Sequence, residues 1–166
     1  MRVAGLDCST TKSGISIMSD GNLEMCTLVD LHKEKDPDKR IRSMIKNIYD
    51  TLERYNLDSI YIEKAIMKGG NAKTIQQLSY LSGAVLMYCV QKDLEFFNPL
   101  PSEWRKQIGI AQNNKIKREV LKAEAIQAVK NEYGLDVGDD EAESILLARS
   151  AFNLPKLNIT EDDLWD

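Results

Sequence analysis

The first eighteen residues, MRVAGLDCSTTKSGISIM, constrain the fold more than any other stretch of the chain. Two apolar runs, at residues 3–6 and 15–18, flank a short polar connection, and this pattern predicts a β-hairpin. A carboxylate, Asp7, interrupts the first run, although Asp is depleted in strands. Asp7 therefore caps the loop, or is neutralised by a partner cation, or lies at the exposed end of a central strand to hold a metal or a phosphate.

The order of the later segments predicts an α/β fold. Residues 23–29 read as a third strand, antiparallel to the second, and Asp36-Pro37 opens a helix that runs to about residue 55. After it we predict a strand over residues 59–63, a helix over 72–91, a strand over 94–98 and a short helix from residue 101. Asn114 is predicted to cap a basic helix, and Asp139 a last helix that runs to about residue 152.

Three antiparallel strands followed by strands that alternate with helices indicate a mixed five-stranded sheet, completed by parallel strands and covered by helices on both faces. We expect one domain over residues 1–155 and an acidic C-terminal tail over residues 156–166. Binding sites in such sheets form at the carboxyl ends of neighbouring strands. Asp7 and Glu63 both fall at such ends.

Charge is distributed unevenly along the chain. Residues 132–166 hold ten acidic and two basic residues, so in a chain of net charge −4 the remaining residues carry +4. Residues 105–122 hold six basic side chains and one acidic side chain, Glu119. This stretch is either a solvated face or a patch for a phosphate backbone.

The apolar runs and the cysteines indicate the cellular compartment in which the protein is expected. No run approaches the roughly 20 apolar residues of a membrane span, and the first residues do not resemble a signal peptide. Three widely spaced cysteines without a CxxC pair fit a reduced cytoplasmic protein and no cysteine zinc site. We therefore expect a cytoplasmic protein, in a bacterium or an infected host cell, with no membrane association.

Two further carboxylates lie at the start of the last predicted helix. Asp140 and Glu143 are three residues apart and project from one face. Alone, they are explained by the preference for acids at a helix N-terminus. Together with Asp7 and Glu63 they make a cluster that would repel itself without cations. Mg²⁺ relieves such repulsion, and two ions about 4 Å apart activate a water and stabilise the leaving oxygen of a phosphodiester.

Three segments, GLDCSTTKSG, YIEKAIMKGGNA and DDEAESILLA, resemble at these separations the RuvC-type Holliday junction resolvases of the RNase H-like superfamily. The resemblance covers residues 2–152, and the short loops suggest a bacteriophage or similarly divergent member. It implies a metal-dependent endonuclease that resolves four-way junctions, and other branched DNA, by paired nicks. The family's catalytic metal ligands fall on Asp7, Glu63, Asp140 and Glu143. The implied cofactor is Mg²⁺ or Mn²⁺, two ions per site, with no small-molecule cofactor.

The resemblance also implies partners. The family's junction-contacting segment falls on residues 66–71, and its helix for homodimer formation falls on residues 72–91, although this helix otherwise simply covers the sheet. The DNA-contacting residues it implies lie in the junction-contacting segment and in the basic stretch: Ile66, Lys68, Asn71, Arg105, Lys106, Lys115 and Lys117.

The chain departs from the family pattern at three places. Cys8-Ser9 replaces the usual Pro-Gly, Glu143 replaces the common final Asp, and Ile66 stands where an aromatic is frequent. The longer Glu143 leaves open whether Asp139 replaces Asp140 as a ligand.

Two other functions compete with the nuclease. The segment GLDCSTT also resembles the phosphate-binding hairpin of the sugar-kinase and actin superfamily, although 166 residues lack the second domain of such ATPases. The other alternative is a module that binds branched DNA without cutting it, which the presence of all four carboxylates disfavours.

Overall fold

The computed structural model of the chain describes residues 1–66, 72–110 and 116–157. In these residues five strands form one mixed sheet in the order β3-β2-β1-β4-β5, with β1–β2–β3 antiparallel and β1–β4–β5 parallel. The strands are β1 (Arg2–Cys8), β2 (Lys12–Ser19), β3 (Asn22–Asp30), β4 (Ser59–Ile62) and β5 (Glu95–Phe97). This sheet confirms the predicted fold class.

Within the described residues, five helices cover the two faces of the sheet, as predicted. They are α1 (Pro37–Leu52), α2 (Ala72–Lys92), α3 (Pro101–Ile108), α4 (Arg118–Tyr133) and α5 (Asp139–Arg149). Helices α1 and α2 close a core on one face with Leu6, Ile15 and Ile60. Helices α3, α4 and α5 close a second core on the other face with Val3 and Met18. Alternate side chains of β1 and β2 therefore enter different cores, as the two-residue strand period requires.

The helix ends follow local chemistry, with one correction. The Asp36 carboxylate accepts hydrogen bonds from the backbone N–H groups of Asp38 and Lys39, and Pro37 takes the first helical position of α1, as expected. Asp139 was expected to cap α5, but Gly138 is the N-cap. Glu141 takes over the capping contact by accepting from the Gly138 N–H at 3.1 Å.

Two predicted features, the cap of the basic helix and the acidic tail, fall wholly or partly outside the described residues. Helix α4 begins at Arg118, and Asn114, its predicted cap, lies outside the described residues. The described start of the tail packs on α3, because the Leu157 N–H donates to the Ile108 carbonyl at 2.8 Å. Within the described ranges, no helix is long and apolar enough to cross a membrane.

Candidate active site

Asp7 lies at the carboxyl end of the central strand β1, beside the turn of the first hairpin. Ser9 organises this turn: its hydroxyl oxygen accepts from the backbone N–H groups of Thr11 and Lys12, and the hydroxyl donates to the Lys12 carbonyl. A polar turn that satisfies its own backbone groups ends the strand without a helix. The turn thereby places the Asp7 side chain at the carboxyl end of β1.

Glu63 directly follows β4, which is parallel to β1 with Ile62 opposite Leu6. The Asn98 side chain donates to the Ile62 carbonyl at 2.8 Å, and the Lys64 N–H donates to the Pro99 carbonyl at 2.9 Å. These contacts fix the chain on both sides of Glu63 where β4 leaves the sheet. The carboxylates of Asp7 and Glu63 therefore lie at the carboxyl ends of two adjacent parallel strands.

Helix α5 reaches these strand ends because two glycines let it approach the sheet. A Cβ atom built on Gly5 would lie 2.2 Å from the Ser144 carbonyl oxygen, and one on Gly14 would lie 2.0 Å from that of Asp140. The buried Ser16 hydroxyl donates to the Ser144 carbonyl at 2.7 Å. The first turns of α5 consequently lie directly over the hairpin.

The four predicted carboxylates of Asp7, Glu63, Asp140 and Glu143 line one cleft of about 940 Å³. Asp139 points elsewhere, because its carboxylate pairs with the Lys122 ammonium group. That contact lowers the pKa of Asp139 below its usual value. The geometry therefore favours Asp140 over Asp139 as the helix carboxylate of the cleft.

Burial and the nearness of other carboxylates raise the pKa values of Asp7, Glu63 and Asp140. Burial, with the nearby charges of Glu143, Glu63 and Asp140 adding to it, raises the pKa of Asp7 well above the usual value. Burial and then Glu143 raise the pKa of Glu63, while burial and then Asp139 raise that of Asp140. The ionised carboxylates would therefore repel one another within the cleft.

Helix α3 contacts two of the carboxylates. The Arg105 guanidinium forms a buried ion pair with Glu143, and the Trp104 indole N–H donates to Glu63 Oε2 at 2.8 Å. The Arg105 guanidinium also lies over the Trp104 ring, 4.6 Å from its centroid. Trp104 was not among the site residues predicted from the sequence.

The donor set suits a hard divalent cation, because all four groups offer oxygen ligands. No three acidic, histidine or cysteine side chains of the described ranges already form a ready coordination shell. Glu143 and Glu63 are engaged by α3 instead. A cation in the cleft would relieve the repulsion between the carboxylates.

The predicted DNA-contacting residues fall into three groups. Ile66 is 39% exposed and lines the cleft, and Lys106 and Lys117 are exposed. Arg105 is buried against Glu143, so in this conformation it is not presented to a DNA backbone. The other three lie outside the described residues: Lys68, Asn71 and Lys115.

Two basic side chains at the cleft were not among the predicted site residues. Lys64 and Arg118 are exposed and line the cleft. Arg118 belongs to the basic stretch, so the charge count pointed to it without placing it at the carboxylates. Lys64 directly follows Glu63, and its position at a strand end is the signal that was available.

Comparison with known proteins identifies relatives over most of the chain. A sequence model of the family described as "Crossover junction endodeoxyribonuclease RuvC" matches residues 3–145. The protein of that name from Ehrlichia chaffeensis is 28% identical over 154 residues, which is 90% of this chain and 97% of the relative.

Solved structures share the fold. The Thermus thermophilus RuvC structure in complex with Holliday junction substrate has a TM-score of 0.71 at 16% identity, over 90% of this chain and 92% of that chain. The fowlpox virus resolvase in complex with Holliday junction DNA has a TM-score of 0.58 at 15% identity, over 91% and 96% of the two chains. At such identities the likeness establishes the fold.

Proposed function

The chain belongs to the RuvC family of crossover junction endodeoxyribonucleases, and from this premise we propose how it resolves Holliday junctions. The proposal is that Asp7, Glu63, Asp140 and Glu143 hold two Mg²⁺ or Mn²⁺ ions at the scissile phosphodiester. The observation that carries it is the meeting of carboxylates from β1, β4 and α5 in one cleft.

Enzymes of this family are metal-dependent nucleases. The bound ions would activate a water and stabilise the leaving 3′ oxygen of the phosphodiester. The chain itself supplies the geometry: two strand ends fix Asp7 and Glu63, and the close approach of α5 brings Asp140 and Glu143 over them. Arg105 offsets the charge of Glu143 and limits the repulsion within the cleft.

DNA binding is proposed to depend on basic side chains around the cleft. Lys64 and Arg118 line it, and Lys106 and Lys117 are exposed on α3 and at the start of α4. Basic side chains at such positions neutralise phosphates on the approaching strands. Ile66, exposed at the cleft, is proposed to wedge between bases at the junction centre. Lys68, Asn71 and Lys115 remain proposed contacts on the grounds of the family resemblance.

We also propose a homodimer formed through the outer face of α2. The inner face of this helix packs on its own sheet with Leu81, Val85 and Cys89. The outer face carries apolar side chains that are 45–68% exposed, at Tyr80, Leu86, Met87 and Val90. A Cβ atom on Gly83 would meet no described atom within 4 Å, so this face leaves room for a second helix.

A dimer suits the substrate, because a Holliday junction has two-fold symmetry and its resolution needs one cut in each of two opposed strands. One active site per chain then requires two chains, and an isologous pair is the commonest closed arrangement. A cytoplasmic location is part of the proposal, since Cys8, Cys26 and Cys89 are all free thiols.

A nicking assay on a four-way junction tests the proposed function. We expect cleavage that requires Mg²⁺ or Mn²⁺, paired nicks in opposed strands, and no ATP hydrolysis in a parallel assay. Glu63→Gln keeps the shape of the side chain and removes the charge, so it should abolish cleavage and leave junction binding intact. Binding without cleavage by the wild-type protein would instead support a non-catalytic module.

The dimer is tested separately by Met87→Glu, with Leu135→Glu as the matched control. Leu135 is also an exposed apolar residue, 37% accessible, but it follows α4, which packs in the other core from α2. We expect Met87→Glu to give a monomer in light scattering that nicks single strands without resolving junctions. A monomeric wild-type protein that cuts both strands in one encounter would refute the dimer.

A further inference from the structure

We infer that Trp104 is a positioning residue for Glu63, an inference that rests on the proposed metal site. The Trp104 indole N–H donates to Glu63 Oε2 at 2.8 Å, across 41 residues of sequence. The ring is 1% exposed, so a well-packed side chain makes this bond. Trp104 would thus act on the reaction through Glu63, without touching the DNA.

The chemistry of the indole suits this role. It is a hydrogen-bond donor only and carries no charge, so it orients a carboxylate without competing for the cation. Its single N–H donates to Oε2 of Glu63 and does not engage the other oxygen, Oε1. The bond to Oε2 nevertheless fixes the direction in which Oε1 points. A Glu side chain has several rotatable bonds, and holding one oxygen reduces the freedom that metal binding would otherwise have to remove.

The surroundings of Trp104 hold the ring in place. Helix α3 starts with Pro101 at its first position, and the Glu103 carboxylate caps it by accepting from the Leu100 N–H at 2.7 Å. The ring itself lies in the core between α3, α4, α5 and the sheet. The Arg105 guanidinium covers one of its faces. Groups that support a ligand in this way commonly change metal affinity by 10–100-fold when they are removed.

A merely structural role for Trp104 makes a different prediction. A buried indole needs some partner for its N–H, and Glu63 would then be an incidental acceptor. In that case removal of the N–H would lower the stability of the fold and leave metal affinity unchanged. Metal affinity therefore separates the two roles, while stability does not.

The test is Trp104→Phe in the full chain, with Mn²⁺ binding measured by isothermal titration calorimetry. We expect the dissociation constant for Mn²⁺ to rise about tenfold or more. The matched control is Ile108→Ala on the same helix, because the Ile108 side chain is also 1% exposed and belongs to the same core as Trp104. This control should lower the melting temperature without weakening Mn²⁺ binding.

A double-mutant cycle with Glu63→Gln makes the test specific. If Trp104 acts through Glu63, Trp104→Phe should have no further effect on Mn²⁺ affinity once the carboxylate is gone. Should Trp104→Phe fail to fold, 3-benzothienylalanine incorporated at this position keeps the ring shape and replaces only the N–H by sulfur.

The outcomes are distinct. Mn²⁺ affinity within twofold of wild type in the Trp104→Phe or 3-benzothienylalanine protein overturns the inference and leaves the proposed function standing. An equal loss of affinity in Ile108→Ala also overturns it, because any loosening of α3 would then have the same effect. A wild-type protein that neither binds Mn²⁺ nor cuts junctions would instead count against the proposed function.

Discussion

Gly14→Ala is the substitution for which the structure gives the clearest magnitude. A Cβ atom on Gly14 would lie 2.0 Å from the carbonyl oxygen of Asp140, and such atoms essentially never approach closer than 3.0 Å. The atoms it meets belong to the backbone of α5 and cannot rotate away. The start of α5 must therefore retreat by at least about 1 Å. Gly14 does not have a positive φ, so the effect comes from space alone.

The retreat should affect both stability and catalysis. Overpacking of this kind costs about 1–3 kcal/mol of unfolding free energy, which a domain of ordinary stability survives. It also moves Asp140 and Glu143 away from Asp7 and Glu63, and a displacement near 1 Å in a catalytic group can lower the rate about 100-fold. Urea denaturation measures the first effect, and single-turnover cleavage of a four-way junction measures the second.

Ile15→Val is the matched control for this experiment. Ile15 is the next residue of β2 and is fully buried in the core that α1 and α2 close, on the opposite face from α5. Its loss of one methylene should cost about 0.5–1.5 kcal/mol without moving α5. Wild-type cleavage by Gly14→Ala, or an equal fall in cleavage for Ile15→Val, would refute the reasoning.

Three further predictions concern charge. Asp7 has a raised pKa, so between its usual value of 3.8 and the raised value the folded protein binds more protons than the unfolded chain, and stability falls as the pH rises through this range. Asp7→Asn should therefore melt at a higher temperature than wild type at pH 7, with a smaller gain at pH 5, and an unchanged melting temperature would contradict this. The same substitution should abolish cleavage, because it removes a proposed metal ligand. Asp140→Asn should abolish cleavage, whereas Asp139→Asn should lose only the Lys122 contact and keep cleaving; the reverse pattern would make Asp139 the ligand. Lys115→Ala should weaken binding to junction and duplex DNA alike and lower the slope of log affinity against log salt by about one, and an unchanged slope would indicate a solvated face.

Much of the fold follows from local patterns. The alternation in residues 2–30 and the Asp36-Pro37 pair predicted the hairpin and the start of α1, because strand pairing and helix capping depend on near neighbours in sequence. The predicted cap of α5 was wrong because of a contact that is distant in sequence. Asp139 has a good capping side chain, but its carboxylate pairs with Lys122, Gly138 is the N-cap, and Asp139 is the first residue of the helix.

The carboxylates of the cleft were predictable by residue type and element, but their arrangement was not. Asp and Glu at strand ends and at a helix start are visible in the sequence, and the family resemblance names the same four. The choice between Asp139 and Asp140 depends on where Lys122 of α4 lies. Space for α5 depends on Gly5 and Gly14, whose absent side chains leave no periodic signal in the sequence.

Contacts from α3 show why charge alone could not place Arg105. A basic stretch predicts an outer surface for DNA, yet this guanidinium is drawn inward because the buried Glu143 needs a counter-charge. Arg105 thus offsets part of the charge of the cleft, and burial among the other carboxylates raises the pKa of Asp7. A cation in the cleft would favour the ionised form of Asp7 and share Glu143 with Arg105. Metal binding should therefore release protons, and its affinity should rise with pH.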